Sequence, residues 1–283
     1  MRRREFVSSL AATAVAASAQ TTAPVVRKGR LKQCVTRGVF AREMSFEDTC
    51  REAARLGCKG YDLIGPPDWP MLKKYGLIPT MYPQGPGGTI PDALNRKENH
   101  DRLEKAMHDA LDDCAANGVP SLITFSGNRR GMPDEEGADN CVAFLNRVKA
   151  HAEDKGVTIA MELLNSKVNH KDYMCDHTAW GVGVMKRVNS PRVKLLYDIY
   201  HLQIMEGDIV RTIRENIQWI DHFHTGGNPG RHEIDGTQEL NYHFVAQAIA
   251  DLGFTGYVAH EYSPAPGRDP ITSLNQALEI FDV

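Results

Sequence analysis

The chain reads as a closed (β/α)8 barrel, an α/β fold, and three observations carry that reading. From residue 31 onward, short apolar runs alternate with longer stretches of helical period, the pattern of parallel strands joined by crossover helices. Eight such runs occur in the 283 residues, which suits one barrel of ordinary size. No GxGxxG turn follows the first run, so the competing doubly wound open sheet lacks the dinucleotide site it usually builds there.

Taken in order, the runs predict strands over 33–39, 60–64, 78–82, 121–125, 158–163, 193–197, 219–224 and 256–261, with amphipathic helices between most of them. Ser45 ahead of Phe46, Glu47 and Asp48 reads as a helix start and Gly57 as its stop. A hydroxyl satisfies the free amides of a first turn, and glycine adopts the left-handed exit without strain. Helices over 99–118 and 139–156 end on glycine in the same way.

Apolar residues make up 42% of the chain and charged residues 24%, with a net charge of -3. That balance suits a soluble globular protein with a sizeable core. No basic stripe with interleaved aromatics is present, so there is no electrostatic reason to expect nucleic acid as a partner. Residues 1–20, MRRREFVSSLAATAVAASAQ, have the basic start, small apolar middle and Ala17-Ser18-Ala19 end of a cleaved export signal. Arg3 and Arg4 ahead of Phe6 fit the twin-arginine pattern. The expectation is a soluble, periplasmic or exported protein, with residues 21–30 as a flexible lead-in and 31–283 as a single barrel domain. No other stretch reaches the ~18 to 20 apolar residues that span a bilayer. Cys34, Cys50, Cys58, Cys114, Cys141 and Cys175 are scattered without CxxC or metal-type spacing and read as small core residues.

In such a barrel the active site forms where strands end. Four successive strands end in candidate metal ligands: Glu162 after Ile159-Ala160-Met161, Asp198 after Leu196-Tyr197, His224 after Asp221-His222-Phe223, and Glu261 after Val258-Ala259-His260. One such acid alone reads equally as a helix cap or an ion-pair partner; four in consecutive units point to one convergent site. Three carboxylates and an imidazole, with no thiol among them, suit one divalent metal ion such as Mn²⁺, Mg²⁺ or Co²⁺. His222 shares a strand face with His224 but lies further from the loop, and reads as a hydrogen-bonded core histidine. His260 reads as a structural residue facing the helices. His201 stands three residues beyond Asp198, so the strand must turn between them. It then sits beside the ion as a donor to a substrate oxygen, or serves as a cap or packing residue of the next loop.

The motifs MELLN around Glu162, YDIYHLQIMEGD with Asp198 and His201, HFHTGGNPGRHEID with His224 and Arg231, and HEY with Glu261 together resemble those of the xylose-isomerase-like TIM barrels, over nearly all of the chain beyond the export segment. Within that superfamily, DIYHLQIMEGD and NPGRHE resemble hydroxypyruvate isomerase, whereas HFHTGG resembles the ketose 3-epimerases. The segment 165–171 follows neither pattern and lacks the additional glutamate of the epimerases.

The resemblance implies a metal-dependent aldose-ketose isomerase that works through a cis-enediolate and interconverts hydroxypyruvate and tartronate semialdehyde. It makes Glu162 and Glu261 the catalytic acid and base as well as metal ligands. A keto acid also needs its carboxylate held, a task suited to guanidinium. Arg231 is the first candidate, its alternative being a solvated loop arginine, and Lys167 is the second. A ketose 3-epimerase or keto-sugar isomerase acting on an environmental sugar is the alternative enzyme, and it accounts more naturally for export. A sugar-binding barrel without turnover is the non-enzymatic alternative. A nuclease of the same superfamily would need further histidines at the ends of strands one to four, where the sequence has none. The expected partner is thus a small keto acid or sugar, and the sequence is compatible with a homo-oligomer.

Overall fold

The computed structural model describes residues 23–83 and 85–283; the export segment read from residues 1–20 lies outside them. Eight strands follow one another as β1 (Lys32–Val35), β2 (Gly60–Tyr61), β3 (Ile78–Pro79), β4 (Ser121–Thr124), β5 (Thr158–Leu163), β6 (Val193–Asp198), β7 (Ile220–Thr225) and β8 (Tyr257–His260). All pair in parallel, in the order β3-β2-β1-β8-β7-β6-β5-β4. The outer two meet just past β3, where the Tyr82 amide donates to the Ser121 carbonyl (2.9 Å) and the Ile123 amide to the Tyr82 carbonyl (3.2 Å). The expected barrel is therefore the observed architecture.

Each strand is followed by helix: α1 (Phe46–Arg55), α2 (Trp69–Lys74), α3 (His100–Asn117), α4 (Asp134–Lys155), α5 (Thr178–Val188), α6 (Ile199–Met205) with α7 (Ile209–Asn216), α8 (Tyr242–Asp251) and α9 (Pro270–Ile280). The capping chemistry is the one expected. Ser45 accepts from the Asp48 amide at the start of α1, and Gly118 and Gly156 close α3 and α4 in the left-handed region. α4 begins five residues before the expected 139, with Asp134, Glu135 and Glu136 in its first turn, where acids favour the positive end of the helix dipole. Gly137 in that first part of α4 makes room for Met174, whose Sδ would lie 2.0 Å from a Cβ placed there.

The core lies between strands and helices. β5 is buried at all six positions, as a parallel strand covered on both faces must be, and α3 packs against α4, with Leu103, Met107 and Leu111 of the one and Phe144, Leu145 and Val148 of the other buried. All six cysteines are buried free thiols, in keeping with their reading as core residues. No helix among the described residues is long and apolar enough to cross a membrane.

The first three strands are markedly shorter than the apolar runs suggest, β3 ending at Pro79. The first gives way to a 3-10 turn at Arg37–Val39, and the second ends at Tyr61, so Asp62 stands at a strand end rather than inside a strand. β2 can approach β3 because Gly60 has no side chain; a Cβ would lie 2.4 Å from the Thr80 Cγ2 and 2.6 Å from the Ile78 carbonyl oxygen. The carbonyl cannot rotate away. Gly60→Ala should therefore cost about 1 to 3 kcal/mol, measured as a shift in denaturation midpoint, and an unchanged midpoint would show that β2 moves freely away from β3.

Candidate metal centre

Glu162, Asp198, His224 and Glu261 converge at the mouth formed by the C-terminal strand ends, each offering one donor atom within 4.8 Å of the others. Asp198 and His224 are register partners on β6 and β7, and the Glu261 amide donates to the Thr225 carbonyl (2.9 Å). Asp198 and His224 are fully buried, and Glu162 nearly so. The His224 Nδ1 lies 2.7 Å from the Glu261 Oε2 and 3.3 Å from the Glu162 Oε1. Its Nε2 lies 2.9 Å from the Oδ2 of Asp62, which is also fully buried.

Burial shapes the protonation of this cluster. It lifts the Glu162 pKa to about 7, against the partial relief given by His224. Burial also pushes Glu261 upward, but Arg231 and His224 together outweigh it and hold that carboxyl below its ordinary value. For His224 desolvation acts downward, yet Glu261, Asp62 and Glu162 raise it well above the usual imidazole range. The surrounding acids thus favour a proton on each nitrogen of His224.

Arg231 enters the cluster from the loop after β7 with a left-handed backbone, φ 56°. Its Nη2 lies 2.5 Å from the Asp198 Oδ2 and 2.6 Å from the Glu261 Oε2, and its Nε donates to the Glu261 carbonyl (3.1 Å). Its guanidinium also lies over the Tyr200 ring, 5.0 Å from the centroid. The side chain is 24% exposed, which sets aside the solvated loop arginine. Its charge occupies the position a cation would take between two carboxylates. The donor set thus fits one divalent oxygen-seeking ion: three carboxylates, one imidazole nitrogen, and a positive charge already held among them.

His201 lies in the first turn of α6, where the Asp198 carboxylate caps the helix by accepting the His201 amide (3.2 Å). The turn required between Asp198 and His201 is therefore a strand-to-helix corner. Burial, then Arg231 and His170, hold the His201 ring well below the ordinary imidazole pKa, and so neutral. Two donors compete for its single lone pair. The Asn165 Oδ1 accepts the Val168 and Asn169 amides (3.0 and 2.8 Å), which leaves its Nδ2 as the donor 2.6 Å from the His201 Nδ1. The His201 Nε2 faces the Arg231 Nη1 at 2.8 Å, and a guanidinium too can only donate. A neutral imidazole accepts from one of the two, so one contact sets donor against donor; an acceptor drawn between Arg231 and His201 would relieve it, with Asn165 at Nδ1 and the N–H at Nε2.

Lys167 is placed elsewhere. Its ammonium donates to the Ile204 and Met205 carbonyls (3.0 and 2.9 Å) at the end of α6, a helix-capping position that leaves Arg231 as the candidate for a substrate carboxylate. His260 faces away from the cluster, between the Gln33 Oε1 (3.0 Å) and the Thr225 Oγ1 (2.9 Å), and burial lowers its pKa to about 3. His222 is buried as expected but not hydrogen-bonded as expected: neither ring nitrogen has a partner of hydrogen-bond geometry. Asp62 and Asn165 were absent from the sequence reading. Asp62 falls inside a run taken as continuous strand, and Asn165 closes the MELLN motif, of which only the glutamate was read as functional; an acid amid an apolar run was the available signal for the first.

A cavity of about 390 Å³ opens beside the cluster, lined by Thr36, Arg37, Asp62, Arg231, Glu261 and Tyr262 among others. A hollow of about 450 Å³ lies at the opposite end of the barrel, near Lys32, Ser121 and Asp221, away from the converging acids.

The sequence model of a family described as a xylose isomerase-like TIM barrel matches residues 69–282. A 2-oxo-tetronate isomerase of Cupriavidus necator is 34% identical over 116 residues, 41% of this chain and 44% of that protein. A Danio rerio protein with the provisional name hydroxypyruvate isomerase is 29% identical over 126 residues, 44% of this chain and 46% of that protein. The aligned part thus spans under half the length of these two relatives. A 2-oxo-tetronate isomerase of Pectobacterium atrosepticum aligns over 78% of this chain and 88% of its own, at 24% identity. Among solved structures, an AP endonuclease of family 2 from Brucella melitensis superposes with a TM-score of 0.76 and 26% identity, over 86% of this chain and 96% of that one. A D-psicose 3-epimerase of Clostridium cellulolyticum H10 gives 0.72 over 89% of this chain and 100% of that one, and at 18% identity shows the shared fold.

Two outcomes follow from the cluster's chemistry. A bound ion displaces the Nδ1 proton of His224 and, below pH about 7, the proton of Glu162. Affinity for Mn²⁺ should therefore fall as the pH drops, by about tenfold per unit for each proton displaced, and more steeply below 7. Calorimetry in buffers of different ionisation enthalpy counts the protons, and an affinity independent of pH would contradict the ligand set. Asp198→Ala should abolish tight Mn²⁺ binding while leaving the circular-dichroism spectrum unchanged; retained tight binding would remove Asp198 from the centre.

Proposed function

The chain belongs to the xylose isomerase-like TIM barrel family, and on that premise we propose that it is a metal-dependent isomerase of small 2-oxo-3-hydroxy acids. Hydroxypyruvate, converted to tartronate semialdehyde, is the simplest such substrate. The observation that carries the reading is the pairing, in one buried cluster, of two glutamates of opposite protonation tendency with a guanidinium facing a neutral imidazole. The names of the relatives support it, since hydroxypyruvate and 2-oxo-tetronate are both 2-oxo acids with a hydroxyl on the next carbon.

A divalent ion held by Glu162, Asp198, His224 and Glu261 would supply Lewis acidity to the substrate's carbonyl and adjacent hydroxyl oxygens. The protein's own groups move the protons. Glu261 takes the C3 proton; the C–H pair becomes the C2–C3 double bond and the C2 carbonyl pair moves onto its oxygen, giving the enediolate. Glu162, whose proton affinity burial raises, takes up a proton with the anionic substrate and returns it at C2, while the C3 hydroxyl proton passes to the C2 oxygen and leaves an aldehyde at C3; exchange with solvent resets both carboxyls. His201 donates from Nε2 to a substrate oxygen, with Asn165 holding it in that tautomer. Arg231 leaves Asp198 and Glu261 and pairs with the substrate carboxylate, relieving the donor conflict at His201. The fold's nuclease relatives offer a weaker reading, because β1 to β4 end without histidine ligands. The layout of residues 1–20 supports twin-arginine export to the periplasm, which fractionation of an Arg3→Lys, Arg4→Lys variant would test.

Proton NMR of hydroxypyruvate in D₂O with Mg²⁺-loaded protein should show deuterium uptake and tartronate semialdehyde formation, both lost with chelator or in Glu261→Gln. Exchange with D-fructose or D-tagatose but not with keto acids would instead establish a ketose 3-epimerase. Asn165→Asp puts an acceptor at the His201 Nδ1 and reverses its tautomer, so kcat should fall about 10- to 100-fold with metal affinity retained. An unchanged kcat would return His201 to a packing role.

A further inference from the structure

We infer that Cys34, Asp62 and His222 form a second metal site inside the barrel, one that takes a thiophilic divalent ion such as Zn²⁺ or Co²⁺. The site does not depend on the isomerase reading. Among the described residues, two groups of side chains bring potential ligand atoms within 4.8 Å of one another: the four-residue cluster at the mouth, and these three. They come from β1, the end of β2, and β7. Cys34 and Asp62 are fully buried and His222 is 1% exposed.

His222 is the second, independent indication of a ligand. Both of its ring nitrogens are buried without a hydrogen-bond partner. The Nε2 lies 3.3 Å from the Asp62 Oδ1, close enough for attraction but not aligned as a hydrogen bond. A buried imidazole has at least one donor and one acceptor to satisfy; here the Nδ1 has no protein partner and the Nε2 has only the unaligned Asp62 carboxylate. A metal ion would use one nitrogen and fix the tautomer at the other.

The remaining ligands have capacity to spare. The Asp62 Oδ1 accepts from the Thr80 Oγ1 (2.5 Å) and the Oδ2 faces the His224 Nε2 (2.9 Å), whereas a carboxylate offers about four acceptor sites. Cys34 pairs in register with Gly60 on one side and Ala259 on the other, so the two strands flanking it carry only a hydrogen and a methyl group at its level. A thiolate, a carboxylate and a neutral imidazole balance a divalent ion within a region that excludes water. Sulfur, nitrogen and oxygen together suit zinc, with a fourth position open, whereas the oxygen-rich mouth site suits harder ions. An ion here would tie β1, β2 and β7 together across the barrel. It would also hold the carboxylate that orients His224, so the inner ion would tune the outer one.

Cobalt distinguishes the two sites, because only a thiolate ligand gives a sulfur-to-cobalt charge-transfer band in the near ultraviolet. Metal-free protein dialysed against Co²⁺ should hold two equivalents and show that band. Cys34→Ala, and independently Cys34→Ser, should lose the band and one equivalent while keeping the visible bands of the mouth site. Asp198→Ala should lose the other equivalent and keep the charge-transfer band. A wild-type protein with one equivalent and no charge-transfer band overturns the proposal without recourse to any variant. So does a band that persists in either Cys34 variant.

Discussion

Three carboxylates brought together at one mouth of a barrel, two of them nearly withdrawn from water, set the terms for everything around them. Like charges about 4 Å apart repel by roughly 4 kcal/mol even in a moderately polarisable interior, so Glu162, Asp198 and Glu261 cannot share this space without positive charge. The protein supplies it twice, through His224, whose imidazolium form these acids favour, and through the Arg231 guanidinium. Much of the neighbouring structure is the scaffolding of that compensation. Asp62 braces the far side of His224, and the loop after β7 adopts a left-handed turn to deliver Arg231.

The same compensation makes the cluster directional. Asp62 accepts from the His224 Nε2, so it is the Nδ1 that faces the acids, where deprotonation would expose a lone pair to a cation. Asn165 performs the matching service for His201 once an acceptor meets the Nε2, and its own orientation is fixed because its oxygen is taken by two backbone amides. Hydrogen bonds one step removed from the chemistry thus choose which nitrogen of each histidine meets it, as partners beyond the ligands commonly do. The competition of Arg231 and Asn165 for one lone pair of His201 marks where this arrangement is incomplete without an acceptor.

The fold was legible because its signal is periodic and repeated: eight apolar runs, with glycine stops after α1, α3 and α4, over-determine a barrel even when individual strand ends are misjudged. Convergence of Glu162, Asp198, His224 and Glu261 was legible for the same reason, since strand ends in consecutive units must meet. Asp62 was not, because hydropathy cannot show that β2 stops after two paired residues, where Gly60 presses against Thr80 and Ile78. Lys167 is a different case. A lysine in a loop near the mouth looks available, but only the folded chain shows the end of α6 offering two free carbonyls within its reach. Arg231 was identified by residue type and loop position, whereas its present partners, Asp198 and Glu261, depend on long-range geometry that no local pattern encodes.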